Sequence, residues 1–303
     1  VDALGLVMWI HGDSPAEAAT RLRGFIGEPE PWNYSAGSRP TIGRPSEPVR
    51  PKPPAELEPV AYTAPTDTTE RLGPTEATAL LDRYLRSRGW PSDVVERFGL
   101  EAIRDTSGVE GVRHPFYVTG PDGAPVVMWW QDRLRSRPGA PKWKAPKGHR
   151  PIPYNLPALG RDGLSYVVVC EGPADTITTA TALHGSPDVA VIGIPGSSSW
   201  VSGWAGYLLG LTVIVATDND RAGDSLAERI AADLQGQTVI RYRPRHGDMT
   251  DTARTVGMDV IGQDLRDRLV TIATETVMAE VFGADGWSWV VTDGHTTGTE
   301  AVA

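Results

Sequence analysis

Residues Ser165–Asp175 read SYVVVCEGPAD, and residues Leu211–Gly223 read LTVIVATDNDRAG. Each stretch passes from a short β-branched run directly into acids, then into a glycine and a helix-forming sequence. Runs of this kind, apolar throughout rather than alternating, suit strands buried on both faces of a parallel sheet. Outward from them, helices are expected over Pro173–His184 and Ala222–Leu234, a helical stretch over Trp200–Leu209, and strands over Val189–Ile194 and Thr238–Tyr242. Strands alternating with amphipathic helices imply βαβ crossovers, hence an α/β fold with a mostly parallel sheet flanked by helices. Function in such sheets gathers at the carboxyl ends of the strands.

Those ends carry the acids. The first run delivers Glu171 and, one helical turn later, Asp175; the third delivers Asp218 and Asp220; the fourth is followed by Asp248 and Asp251. Any one pair reads equally well as helix caps or solvated loop acids. Three acidic loops at successive strand ends point instead to carboxylates that repel each other until a cation neutralises them. Oxygen donors without His or Cys partners favour Mg²⁺ or Mn²⁺ over zinc.

The pattern Glu171-Gly172 with Asp175, followed by Asp218-x-Asp220-x-x-Gly223 after an apolar strand, resembles the TOPRIM domain shared by DnaG-type primases, topoisomerases and some nucleases. Upstream, Tyr84-Leu-Arg-Ser-Arg-Gly89, Val95-Glu-Arg-Phe-Gly-Leu100, Gln131-Asp-Arg133 and Pro141-Lys-Trp143 resemble the DnaG-type bacterial and phage primase core. The resemblance spans about Thr75 to Ala253 and implies an enzyme that makes short RNA primers on single-stranded DNA. It implies Asp218 and Asp220 as metal ligands with Asp248 or Asp251 assisting, Glu171 as proton acceptor, and Asp175 as the residue holding the Glu171 loop. Gly172 and Gly223 would let backbone approach phosphates. The implied partners are a single-stranded DNA template, ribonucleoside triphosphates and a replicative helicase. One departure is Thr250, which stands where phage-like primases of the Asp-x-Asn-Asp form have Asn. A TOPRIM-type nuclease and a non-catalytic DNA-binding replisome component are the alternatives.

Five segments are expected. Residues 1–27 resemble the end of a primase zinc-binding domain, with a helix starting at Ser14, but its Cys and His ligands are not in this sequence and zinc is not expected. Residues 28–74 are rich in proline and read as a linker. Residues 75–162 form an N-terminal α+β primase-core subdomain, with helices over Thr75–Arg88 and Ser92–Phe98 and a hairpin of His114–Thr119 with Pro125–Gln131. Residues 163–260 form the TOPRIM domain, and 261–303 a helix over Asp264–Val281 and a tail.

The chain has 303 residues, one cysteine and a formal net charge of -9. No intrachain disulfide is possible, and Cys170 reads as a buried strand residue. The negative charge argues against wholesale nucleic-acid coating, so any DNA contact is local. The local candidate is Gln131–Arg150, where Arg133, Arg135, Arg137, Lys142, Lys144, Lys147 and Arg150 oppose the one acid Asp132. Arg133, Lys142, Lys144 and Lys147 are the expected phosphate and DNA contacts, with Trp129, Trp130 and Trp143 either stacking bases or turned into the core. His114, His149 and His246 read as isolated surface or hydrogen-bonding residues. No membrane span or signal peptide is evident, and the expected location is the cytoplasm.

Overall fold

The computed structural model describes residues 65–120, 122–135, 141–147 and 150–282, with side chains to 273. The segment 1–27, most of the proline-rich stretch, Arg137, His149 and the tail from 283 lie outside the described residues. Described residues up to Leu265 belong to one compact unit, and the rest of the last helix, from Arg266, to another.

The fold is α/β. Two sheets carry it: an antiparallel one of order β1-β2-β3-β4-β5 and a fully parallel one of order β7-β6-β8-β9. The first comprises β1 (Glu70–Arg71), β2 (Glu101–Arg104), β3 (Glu110–Thr119), β4 (Pro125–Leu134) and β5 (Trp143–Lys144), with helices α1 (Pro74–Arg88) and α2 (Val94–Phe98) before β2. Pro74 starts α1 where an amide hydrogen would have no partner, and Gly89 ends it in the left-handed conformation. β1 falls inside the stretch read as linker. Thr66–Gly73 is a proline-free window between Pro65 and Pro74, so its amides are available to pair, and Glu70 and Arg71 pair with Arg104 and Ile103.

The parallel sheet comprises β6 (Tyr166–Glu171), β7 (Val189–Ile194), β8 (Thr212–Ala216) and β9 (Val239–Arg241). Interleaved are α3 (Gly172–Ala182), α4 (Arg221–Asp233) and α5 (Met249–Val256), followed by α6 (Met258–Phe282). Val167 and Val169 of β6 pack with Ile192, Val213 and Val215 against Leu226 and Ile230 of α4. On the opposite face the Cys170 thiol lies 3.3 Å from the Thr179 hydroxyl of α3. Both faces are covered, which is what the unbroken apolar runs require. The stretch 200–209 is a 3₁₀ helix over Ser202–Leu208 rather than an α-helix, consistent with Gly203 and Gly206 in so short a segment.

The two sheets share a core: Ala174 and Ile177 of α3 cluster with Leu85, Phe98, Phe116 and Trp129. Outside β7, Tyr154 exchanges main-chain hydrogen bonds with Gly193, the Asn155 amide donates to the Val191 carbonyl, and the Arg161 guanidinium donates to the Val189 carbonyl. Among the described residues, no helix is long and apolar enough to cross a membrane.

Candidate active site

The carboxyl ends of β6 and β8 and the start of α5 form an acidic edge. Glu171 closes β6; its Oε1 accepts from the Ser197 amide at 3.0 Å in the loop after β7, while its Oε2 is buried with no partner. Burial raises the Glu171 pKa, and the Asp220 charge adds to it. Gly172 follows at φ 82, a conformation that lets the chain turn from strand into α3.

Asp218 follows β8. Burial pushes its carboxyl up to about 7, with the charges of Glu171, Asp248 and Asp220 adding and Arg241 opposing. The Arg241 guanidinium holds the main chain of this loop, donating to the Thr217 and Asp218 carbonyls at 2.9 and 2.8 Å. Asp220 caps α4: its Oδ1 accepts from the Gly223 amide at 2.8 Å. Gly223 does not face open space. A Cβ there would collide with the Asp218 carbonyl, so this glycine serves the close approach of helix to acidic loop rather than a phosphate.

Asp248 caps α5, accepting from the Asp251 amide at 2.6 Å. Burial raises its pKa, the Asp251 charge adds, and the Arg88 charge opposes. Each of these caps uses one carboxylate oxygen. The Asp251 carboxylate is exposed and paired with Arg254 at 3.3 Å, while its amide donates to Asp248. The expectation for Asp175 changes here. Asp175 is buried and does not touch the Glu171 loop: its Oδ1 accepts from the Thr250 amide and hydroxyl at 2.9 and 2.7 Å. Burial and the Asp248 charge hold its carboxyl well above the usual range. The Thr250 hydroxyl also lies 3.2 Å from that of Thr178, which accepts from the Trp90 indole at 2.9 Å. Asp175 thus ties α5 to α3.

Among the described residues, no group of three or more His, Cys, Asp or Glu side chains is arranged to hold a metal ion. The chemistry of the edge still suits a hard divalent cation. Its donors are carboxylate oxygens, Glu171 Oε2 has no hydrogen-bond partner, and Asp218 feels the like charges of Glu171, Asp248 and Asp220, which Arg241 offsets only in part.

A basic cleft of about 240 Å³ lies between α1, β3 and β4, lined by Arg83, Tyr84, Arg88, Glu110, Arg133 and Arg135 among others. Arg88 was not singled out by the sequence; its signal is its place at the last turn of α1, within the Tyr84–Gly89 motif. Arg88 is also the cation whose charge Asp248 feels, so cleft and acidic edge are electrostatic neighbours. Arg133 lies over the Trp143 ring at 5.3 Å. Lys142 and Lys147 are exposed, whereas Lys144 pairs with Asp105 at 3.4 Å. Trp129 and Trp130 are turned into the protein, one against Phe116 and the other beneath Arg113, so neither offers a face to a base. His114 is fully buried rather than on the surface.

The Asp218 shift has a measurable sign. Its folded pKa, about 7, exceeds its ordinary value of 3.8, so between the two the folded state holds more protons and stability falls as pH rises. The stability of the wild type relative to Asp218→Asn should decline from about pH 4 to about pH 7 and level off above. Urea titrations of both proteins across this range measure it. The difference is needed because His114, with its pKa lowered to about 3, contributes a slope of opposite sign to the raw curve. A flat difference curve would show that Asp218 titrates normally.

Residues 168–253 match a protein family described as Toprim-like. With the strand order above, the parallel sheet is TOPRIM-like in fold. Similar solved structures include the primase fragment of the bacteriophage T7 primase-helicase protein, 16% identical with a TM-score of 0.49, the match covering 69% of this chain and 82% of that one. Another is the Aquifex aeolicus primase, zinc-binding and RNA polymerase domains, also 16% identical with a TM-score of 0.47, covering 93% of this chain and 74% of that one. No curated protein sequence matches the chain.

Proposed function

We propose that the chain is a DNA primase that joins ribonucleoside triphosphates into short RNA primers on single-stranded DNA, by Mg²⁺-dependent nucleotidyl transfer. The observation that carries this reading is the set of acids Glu171, Asp218, Asp220 and Asp248 at one edge of the parallel sheet, together with a cleft lined by Arg83, Arg88, Arg133 and Arg135. Transfer of a nucleotidyl group needs acids to hold cations and bases to hold polyphosphate. The resemblance of Tyr84–Gly89, Val95–Leu100 and Pro141–Trp143 to the primase core favours this reaction over strand cutting.

Asp218 and Asp220 are the assigned metal ligands, with Asp248 beside them; Mn²⁺ suits the same donors as Mg²⁺. When bound, such ions make the primer 3′-hydroxyl more acidic and offset charge on the departing pyrophosphate. Glu171 receives the hydroxyl proton, a task its raised pKa suits. Asp175 keeps α5, and with it Asp248, in place. Arg88 and Arg133 take phosphate in the cleft, and the exposed Lys142 and Lys147 take the template backbone. A replicative helicase is the protein partner that the resemblance implies.

Incubation with single-stranded DNA, labelled ribonucleotides and Mg²⁺ tests the reading. Labelled primers are expected, with DNA affinity falling steeply as salt rises. Shortened DNA would replace the reading with a nuclease, and no product at all with a non-catalytic DNA-binding role.

A further inference from the structure

Arg88 and Arg133 are each seated on an aromatic ring: the Arg88 guanidinium lies 5.4 Å over Tyr84, and that of Arg133 5.3 Å over Trp143. One residue meets both rings edge-on. The His114 ring is centred 5.7 Å from Tyr84 at 75° and 5.2 Å from Trp143 at 61°. Its Nε2 lies 3.2 Å from the Tyr84 hydroxyl, within hydrogen-bond distance. The three rings come from α1, β3 and β5, which the histidine joins at one point. Burial, then the charge of Arg88, holds the His114 pKa down at about 3, so at neutral pH the ring adds no charge to the cleft. A hydrophobic ring could fill the same volume, but it could not fix the rotation of Tyr84 through its hydroxyl.

We propose that His114 is a positioning residue which, by bracing Tyr84 and Trp143, sets the spacing of Arg88 and Arg133 for a phosphate group entering the cleft. The inference rests on the reading of this cleft as a phosphate site. Two sources share that chemistry, the tail of a nucleoside triphosphate and the backbone of the template strand. Guanidinium groups held apart by a rigid support lose less conformational freedom on binding than mobile ones, so bracing appears as affinity.

The experiment uses binding alone, so that it does not depend on turnover. Inorganic tripolyphosphate is titrated by calorimetry, and a fluorescein-labelled oligothymidylate by anisotropy, against six proteins: wild type, His114→Phe, Tyr84→Phe, the double variant Arg88→Met/Arg133→Met, and that double variant carrying each ring substitution in turn. Tyr84→Phe removes the same hydrogen bond from its other end, together with the hydroxyl's own bond to Arg88, and keeps the ring, which guards against misfolding of the His114 variant. Both single-ring variants are expected to bind about five-fold more weakly. Placed on the double-arginine background, they should change nothing further, which a general loss of packing would not reproduce. Weakening of tripolyphosphate assigns the phosphate to the nucleotide, and weakening confined to the oligothymidylate assigns it to the template. Wild-type affinity for both probes in the two ring variants, or an equal loss on the arginine-less background, overturns the role of His114 and leaves the cleft reading standing. Wild-type binding by Arg88→Met/Arg133→Met overturns the cleft reading and the inference together.

Discussion

Asp218→Asn is expected to lower primer synthesis by roughly 10²–10³-fold while leaving the circular dichroism spectrum unchanged. The substitution is nearly isosteric, and Arg241 holds this loop through main-chain carbonyls, so the local path of the chain survives. What is lost is charge at a point where Glu171, Asp220 and Asp248 already oppose it. The same change therefore removes repulsion, and the variant should unfold at higher urea than wild type at pH 8 without divalent cations. Lost activity together with gained stability is the mark of an acid retained for chemistry rather than for folding. Elongation of a preformed primer, followed alongside urea unfolding, reads both quantities. Full synthesis by the variant would remove Asp218 from the active site.

Asp132→Ala is expected to destabilise the unit containing the antiparallel sheet by about 3–5 kcal/mol. Arg113 is 2% exposed; its Nε donates to Asp132 Oδ1 at 2.8 Å, and its remaining nitrogens reach Asp132, Asp67 and the Thr69 hydroxyl. Its guanidinium also lies 4.3 Å over the Trp130 ring. Deleting the Asp132 carboxylate removes the partner that is itself buried and leaves the buried guanidinium only the partly exposed Asp67 as counter-ion, with its Nε unpaired, which costs more than the intact pair contributes. Replacing both partners, as Arg113→Met with Asp132→Leu, should recover much of the loss. Urea titrations of the single and double variants test this, and a loss under about 1 kcal/mol for Asp132→Ala would show that Asp67 suffices as the counter-ion of Arg113.

The parallel sheet was legible because strands covered on both faces must be apolar throughout, and Tyr166–Cys170 and Val213–Ala216 are. The positions of Glu171, Asp218 and Asp220 were legible for a related reason, since acids just after such strands sit at their ends, whereas Asp248 lies well beyond β9 and reaches the edge as the cap of α5. What each acid touches was not. Asp175 and Thr250 are far apart in sequence and meet only because α3 and α5 pack together. Trp129 and Trp130 point to opposite faces of β4, and the sequence of one strand does not say that both faces are covered there. β1 was hidden by the proline content on either side of it, and Arg88 by being one arginine among several in α1.

The outer side of β7 has a consequence for the company this protein keeps. The carbonyls of Val189, Val191 and Gly193, which would otherwise project in a row from the end of the sheet, are each occupied by a donor from the segment Tyr154–Arg161. A sheet border left open is a template on which a stray strand from another molecule can grow, and hydrophobic strands such as these would make it a strong one. Here the border is sealed from within the same chain. Lateral extension of the sheet is closed on that side, and contact with another molecule at this border has to proceed through side chains rather than shared backbone.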